Sequence, residues 1–209
     1  AAAGRSKSKI QQAPAFTRNR RKGMGMDSAA HREGRLFDGI LLLSDLDGTL
    51  LDSRKNIPAR SREAIRRFKE QGGLFSIATG RCPCSAEIVA RQAEVNCPGV
   101  TLNGAVVYDF RAGRPAGQTC LPEWYQAVLR DVHAAFPAVG LQVYVGSDIY
   151  IVHSNDVVER LFHIEHTEKC RKEASFGGLP PRVNKALIGG RHEGLLRVRR
   201  FLEGRLEGM

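Results

Sequence analysis

Asp45 and Asp47 stand one residue apart where a short aliphatic run, Ile40-Leu41-Leu42-Leu43-Ser44, gives way to Gly48-Thr49. Residues two apart on an extended segment point to the same side, so both carboxylates can face one site. Two like charges there push one pKa upward unless a cation intervenes. The pair suits a reaction that needs one ionised and one protonated carboxyl. Asp45, neutralised by a hard oxygen-seeking ion such as Mg²⁺, would be the nucleophile, and Asp47 would exchange protons with a leaving oxygen. Gly48-Thr49 leaves backbone amides able to approach a phosphate, and Thr79-Gly80-Arg81 offers a hydroxyl, an amide and a bidentate cation. An Asp-Gly pair alone is commonly just a turn.

The elements around these residues explain how they could meet. Ile40 to Ser44 reads as a strand buried on both faces and stopped by a turn. Pro58 to Gln71 has Ile65 and Phe68 at i and i+3, Pro in its first turn and Gly72-Gly73 beyond its end, which marks an amphipathic helix. A strand over Leu74–Ala78, a helix from Thr79-Gly80 to about Glu94 and a strand over Val100-Thr101-Leu102 follow. This β-α-β-α-β order implies a parallel sheet with right-handed crossovers, and ligands bind such a sheet beyond the carboxyl ends of its strands. The pattern changes after Asp109. Pro122 to Ala135 reads as a helix with Trp124, Val128, Leu129 and Val132 on one face, and Leu141–Val145 and Ile149–His153 as a hairpin around Gly146-Ser147-Asp148. Asn155 can cap a helix to about Thr167, Val183–Ile188 reads as a strand and His192–Leu206 as a last helix. The second half is therefore an antiparallel α+β module.

The string Leu42-Leu43-Ser44-Asp45-Leu46-Asp47-Gly48-Thr49-Leu50-Leu51, followed by Ser76-Ile77-Ala78-Thr79-Gly80-Arg81, resembles the haloacid dehalogenase (HAD) superfamily, specifically its Cof-type subfamily IIB of phosphatases. Leu102-Asn103-Gly104-Ala105-Val106-Val107-Tyr108-Asp109 resembles that subfamily's entry to its cap domain, so the likeness runs from about residue 39 onward. It implies a Rossmann-like core over 39–108 and an inserted α+β cap over 109–209. It also implies roles: Asp45 as the nucleophile that forms a phosphoaspartyl intermediate and binds Mg²⁺, and Asp47 as the acid/base whose carbonyl is a second metal ligand. Thr79 would hold the transferring phosphoryl group. Gly48, Gly80, Arg81 and Asn103 fall at positions that bind phosphate or substrate. The implied partner is a small phosphorylated metabolite, a sugar phosphate or a phosphorylated cofactor.

Composition narrows the alternatives. Lys and Arg exceed Asp and Glu to give +10, but seven basic residues and no acid lie within residues 1–25, so the remainder is nearly balanced. No basic stripe interleaved with aromatics follows, which argues against a nucleic-acid-binding body. The longest aliphatic run is far short of the roughly 18 residues of a membrane span. Five cysteines at irregular spacing, with no signal-peptide core, fit a reducing cytoplasm with free thiols. Residues 1–38 read as a basic tail without fold elements. A leader upstream of a start at Met24 or Met26 is the first explanation, ahead of a transit peptide or a nuclear signal.

The family pattern also calls for a Lys, usually before Gly at a helix start, and for a Gly-Asp-x-x-Asn-Asp-type motif; the 209 residues contain neither. Lys185 could stand in for the first, but on a strand it reads as a solvated side chain. Strands expected beyond Ile40–Ser44 are absent, which would leave an apolar open edge. His153, His163 and His166 read as surface residues, Trp124, Tyr125 and Phe136 as packing, and Asp52 and Asp109 as turn residues. The competing functional readings are a phosphomutase of the same superfamily and a non-catalytic fold that only binds ligand or partner.

Overall fold

The computed structural model describes residues 35–206. The expected leader and targeting segments lie outside the described residues. Within the expected tail, residues 35–38 already belong to the fold: the Phe37 N–H donates to Gln71 O at 2.9 Å, and its ring stacks on Phe68 at 4.8 Å.

β1 (Leu41–Ser44) and β2 (Leu74–Ile77) pair in parallel, Leu41 opposite Leu74 and Ser44 opposite Ile77. α1 (Ala59–Glu70) crosses between them, and α2 (Pro83–Gln92) follows β2. Pro83 sits in the first turn of α2, where its missing N–H has no intrahelical partner to lose. β3 (Gly99–Thr101) meets the end of β2 through one parallel bridge, Ala78 opposite Val100. Its longer partnership is antiparallel, with β4 (Val106–Asp109), which in turn pairs with β5 (Arg114–Gln118). β5 carries Pro115 and Gly117, which hide a strand from propensity; as an exposed edge it tolerates both. Leu46, Ile57, Phe75, Ile77 and Ala86 fill the space between the sheet and its helices.

The second module has α3 (Tyr125–Ala135), β6 (Gly140–Val145), β7 (Asp148–His153), α4 (Asp156–Glu165), β8 (Arg171–Glu173), β9 (Lys185–Gly189) and α5 (His192–Leu206). Its four-stranded sheet runs β8-β7-β6-β9, with only β7–β8 parallel. Helices pack over it through Tyr125, Leu129, Val132, Leu141, Val143 and Val198. A further cluster joins the modules: Cys82, Cys84, Leu102 and Val106 from the first half meet Tyr144, Ile149, Ile151, Val158 and Phe162 from the second.

Two features depart from the sequence expectation. β1 pairs only with β2, and Ile40 (47%), Leu41 (53%), Leu42 (48%) and Leu43 (40%) stay exposed, so the strand read as buried on both faces is an apolar edge among the described residues. Cys84 on α2 is bonded to Cys170, in the short 3₁₀ turn Glu168–Cys170 after α4, whereas free thiols were expected. Cys82, Cys97 and Cys120 remain free. No helix among the described residues is long and apolar enough to cross a membrane.

Asn155 shows how one polar side chain fixes the second module. Its Oδ1 accepts from the Val157 and Val158 N–H groups at the start of α4, while Nδ2 donates to Ala138 O and Gly189 O. Asn155→Ala removes the cap and leaves two carbonyls short of a donor, so urea unfolding should show a loss of about 2 kcal/mol. A change within experimental error would mean that water replaces all four bonds.

Candidate active site

Leu46 is fully buried while Asp45 and Asp47 on either side are exposed, the alternation that extended backbone imposes. Both carboxylates therefore leave the end of β1 on the solvent side. Asp45 Oδ1 accepts the Leu46 N–H at 2.7 Å. The Leu46 carbonyl then accepts from Thr49, Leu50 and Leu51 in a tight turn. Gly48 within it adopts φ +78°, a left-handed conformation that a side chain would strain.

A second turn supplies a residue that sequence reading did not single out. Asp52 Oδ1 accepts the Arg54 and Asn56 N–H groups, confirming its turn role, and Lys55 adopts φ +62°. This aims Lys55 Nζ at Asp47 Oδ1, 2.7 Å away. On the other side Arg81, 8% exposed, grips the same carboxylate with both forks: Nε to Oδ2 at 2.8 Å and Nη2 to Oδ1 at 2.7 Å. The Arg81 guanidinium, seconded by Lys55 and opposed by partial burial, holds the Asp47 carboxyl down at about 2. Asp47 is ionised in this arrangement, whereas the sequence reading expected one protonated carboxyl.

Thr79 is buried at the end of β2, its N–H given to Val100 O at 2.9 Å. Its Oγ accepts the Arg81 N–H at 3.2 Å and so keeps its own hydrogen to donate elsewhere. The end of β3 is laced to this loop: Leu102 N–H donates to Arg81 O and Asn103 N–H to Thr79 O. Leu102 and Asn103 are both left-handed, at φ +51° and +57°. Asn tolerates that region and Leu does not, so the two backbone bonds and the burial of Leu102 hold a strained corner in place. Gly80 lies close under Asn103: a Cβ there would stand 3.0 Å from Asn103 Nδ2 and press that side chain aside.

Lys185 corrects the expectation of a solvated strand lysine. From β9 its Nζ donates to Gly80 O at 3.0 Å and to Asn103 Oδ1 at 2.8 Å, and it lies over the Tyr144 ring. Burial lowers its pKa, and Glu165 pulls it back up. Glu165, the last residue of α4, is half-buried; burial raises its pKa while Arg81 and Lys185 oppose the shift. Its carbonyl accepts from Ser85 Oγ at 2.8 Å. No local signal marks Ser85, Lys55 or Glu165 in the sequence, because each gains its place through another segment.

The remaining candidates fall elsewhere. His163 contacts Glu168, His166 ends α4 in a left-handed turn, and His153 Nδ1 faces Val139 O beside the His133 ring. Tyr125 and Phe136 pack, Phe136 edge-on to Phe201, and Asp109 closes a turn. No group of three or more His, Cys, Asp or Glu side chains among the described residues is placed to share an ion. Of the two carboxylates beyond β1, that of Asp47 is engaged by two cations, which leaves the Asp45 carboxylate, with the Asp47 carbonyl that the family resemblance implies beside it. This donor set fits Mg²⁺ in type and falls short in number.

Comparison with known proteins identifies the family. The family model described as haloacid dehalogenase-like hydrolase matches residues 42–207. The chain is 28% identical over 165 residues to 5-amino-6-(5-phospho-D-ribitylamino)uracil phosphatase YitU of Bacillus subtilis, an alignment covering 78% of this chain and 60% of YitU. It is 35% identical over 68 residues to pyridoxal phosphate phosphatase YbhA of Escherichia coli, covering 32% of this chain and 25% of YbhA. Among solved structures, a haloacid dehalogenase-like hydrolase from Bacteroides thetaiotaomicron superposes with a TM-score of 0.71 at 26% identity, over 81% of this chain and 65% of that one. The chain thus spans less than two thirds of YitU and of the Bacteroides protein. With the family model matching most of its length and the fold superposing, the chain belongs to the haloacid dehalogenase-like hydrolase family.

Proposed function

We propose that this chain carries the nucleophile half of a phosphatase acting on small phosphorylated metabolites, with a core over 39–108 and a cap over 109–209. The observation that supports this best is the linkage of Asp47, Thr79, Arg81, Asn103 and Lys185 across three strand ends and one cap strand, with Asp45 two residues from Asp47 on the same solvent side. A ring of fixed cations and donors around an exposed carboxylate suits phosphoryl transfer, which depends mainly on positioning and on neutralising the oxygens. YitU and YbhA are named for a phosphorylated ribitylaminouracil and for pyridoxal phosphate, which points to esters of cofactor-type metabolites. Neither a nucleic acid nor a membrane is a partner in this reading, and the site is cytoplasmic.

In the proposed reaction an Asp45 oxygen forms a bond to phosphorus as the ester P–O bond breaks, giving a phosphoaspartyl group that water then hydrolyses. Thr79 Oγ and the Gly48 and Gly80 amides hold the phosphoryl oxygens. Arg81 and Lys55 keep Asp47 ionised, so at rest it is ready to take a proton from the attacking water. An incoming phosphate competes for the same two cations. As they turn to it, Asp47 loses what depresses its pKa, takes up a proton from solvent and gives it to the leaving oxygen; ionised again, it accepts the proton of the water that attacks the phosphoaspartyl group. Mg²⁺, when bound by the Asp45 carboxylate and the Asp47 carbonyl, would neutralise charge between Asp45 and the phosphoryl group. Lys185, held against Gly80 and Asn103, brings one cap cation to the rim of the site.

A second reading, ligand binding without turnover, draws on the short oxygen donor set and on the uncovered edge of β1. Asp45→Asn separates the two. Release of inorganic phosphate from pyridoxal phosphate and from sugar phosphates should fall by at least about a thousandfold if Asp45 is the nucleophile. Equal, background-level release by both forms would leave only binding. Calorimetric titration with MgCl₂ alone should give weak, barely saturating heats, because two protein oxygens leave most of an octahedral shell to water. Tight binding would mean that further ligands converge on Asp45.

The state of Asp47 can be read directly. In buffer containing a chelator, the Asp47 side-chain carboxyl followed by ¹³C NMR should titrate at about 2, and Arg81→Gln should return it toward the ordinary 3.8. The depressed folded pKa means that this ion pair stabilises the fold above about 3.8 and that its contribution fades as pH falls toward 2. Asp47 is 42% exposed, so the energy involved is screened and small. A midpoint at or above 3.8 in the unsubstituted protein would remove Arg81 and Lys55 from the acid–base scheme.

A further inference from the structure

The bond between Cys84 and Cys170 links residues 86 positions apart and crosses the seam between core and cap. Cys84 lies in the first turn of α2, three residues beyond Arg81; Cys170 ends the 3₁₀ turn that follows α4, five residues beyond Glu165. Their Cα atoms are 6.9 Å apart, a separation that a disulfide can span. Beside the bond, Ser85 Oγ donates to Glu165 O, so a covalent and a polar tie sit at one place. The other polar tie between the two modules at the site is Lys185 to Gly80 and Asn103.

We propose that Cys84 and Cys170 are a redox-modification site, a reversible bond that fixes the cap over the Arg81 loop when oxidised and frees it when reduced. Three observations favour a reversible bond over a permanent staple. Three of the five cysteines stay as thiols, unlike the fully paired frameworks of disulfide-stabilised domains. Cys170 is half-buried, within reach of a small thiol or disulfide, while Cys84 is buried among the apolar side chains of the cluster that joins the modules. The bond joins two modules and does not close a loop within either, so what it governs is their relative freedom. This inference stands apart from the phosphatase reading, since it concerns how the modules are tied and not what the site hydrolyses.

The oxidant is a low-molecular-weight disulfide, RSSR. The Cys170 thiolate attacks one of its sulfurs, forming Cys170–S–S–R and releasing RS⁻, which takes up the proton Cys170 lost. The Cys84 thiolate then attacks the Cys170 sulfur, closing the protein disulfide and expelling the second RS⁻ as RSH. Two protein thiols lose two electrons and two protons, and RSSR becomes two RSH. A dithiol reverses both steps. Cys82 is buried, and burial pushes its thiol pKa up, which keeps it out of the exchange although it lies two residues from Cys84.

The test uses the full chain equilibrated in glutathione buffers of graded thiol-to-disulfide ratio, quenched with acid, alkylated with iodoacetamide in guanidinium chloride so that buried thiols also react, and mapped by mass spectrometry. Hydrogen exchange is followed at each ratio. The expected result is a Cys84–Cys170 cross-linked peptide that appears as the ratio turns oxidising, with three alkylated cysteines in that form and five in the reduced form. Amides of α4 and of the turn holding Cys170 should exchange at least about tenfold more slowly when the bond is closed, with α1 unchanged. Cys170→Ser should abolish the response and Cys97→Ser should preserve it. Cys84 is buried, so Cys170→Ser carries the test should Cys84→Ser not fold. The proposal is overturned if both cysteines alkylate at every ratio, if the cross-link persists under full reduction, or if it forms and breaks with no change in α4 exchange.

Discussion

A guanidinium held almost out of water is the constraint that organises this protein. Arg81 is 8% exposed and must have partners, because a buried cation left alone is far more costly than one hydrogen-bonded to a carboxylate. Its partners come from separate segments: Asp47 from the end of β1, Ser85 from the first turn of α2, and through its own backbone Thr79 and Leu102. Satisfying one side chain therefore draws three strand ends together. Removing a partner from a buried pair costs about 3–5 kcal/mol, and the exposure of Asp47 places this pair at or below the bottom of that range. The pair matters more for where it puts groups than for how tightly it holds the fold.

The elements that position the site were legible in the sequence because local rules govern them. An aliphatic run ending in Asp-x-Asp-Gly, a helix closed by Gly72-Gly73 and the Asn155 cap each depend on residues within a few positions. The Asp45, Thr79 and Asn103 strings were likewise visible as motifs. What stayed hidden depends on distance. Lys185 resembles any strand lysine until β9 brings it to Gly80, and Glu165 is an ordinary helix end until the fold sets it near Arg81 and Lys185. Cys84 and Cys170, 86 positions apart, have no spacing that marks them as a pair. β3 was read as parallel from its place in the βαβ order, and one bridge to β2 is parallel, but Gly104 with left-handed Leu102 and Asn103 turns the chain back into an antiparallel hairpin.

Charge around the site follows from the same arrangement. Lys55 and Arg81 hold the Asp47 carboxylate just beyond β1, while Lys185 is tied to Gly80 and Asn103 of the neighbouring strand-end loops. Glu165 partly offsets them from the cap side, where burial raises its pKa. The result is a set of hydrogen-bonded cations drawn from three segments, suited to an anion that arrives with its own negative charge.

The exposed face of β1 sets a limit on what these elements can do by themselves. Ile40, Leu41, Leu42 and Leu43 are 40–53% exposed on the strand that carries Asp45 and Asp47. An apolar edge with unpaired backbone groups is a poor foundation for placing a nucleophile, because a strand free to shift moves its terminal side chains with it. Arg81 and Lys55 counter this by gripping Asp47 directly, so the strand end is fixed from the solvent side where its hydrogen-bond ladder fixes it only from one flank. Asp45 has no such grip beyond the Leu46 amide. Asp47 is thus the better anchored of the two aspartates.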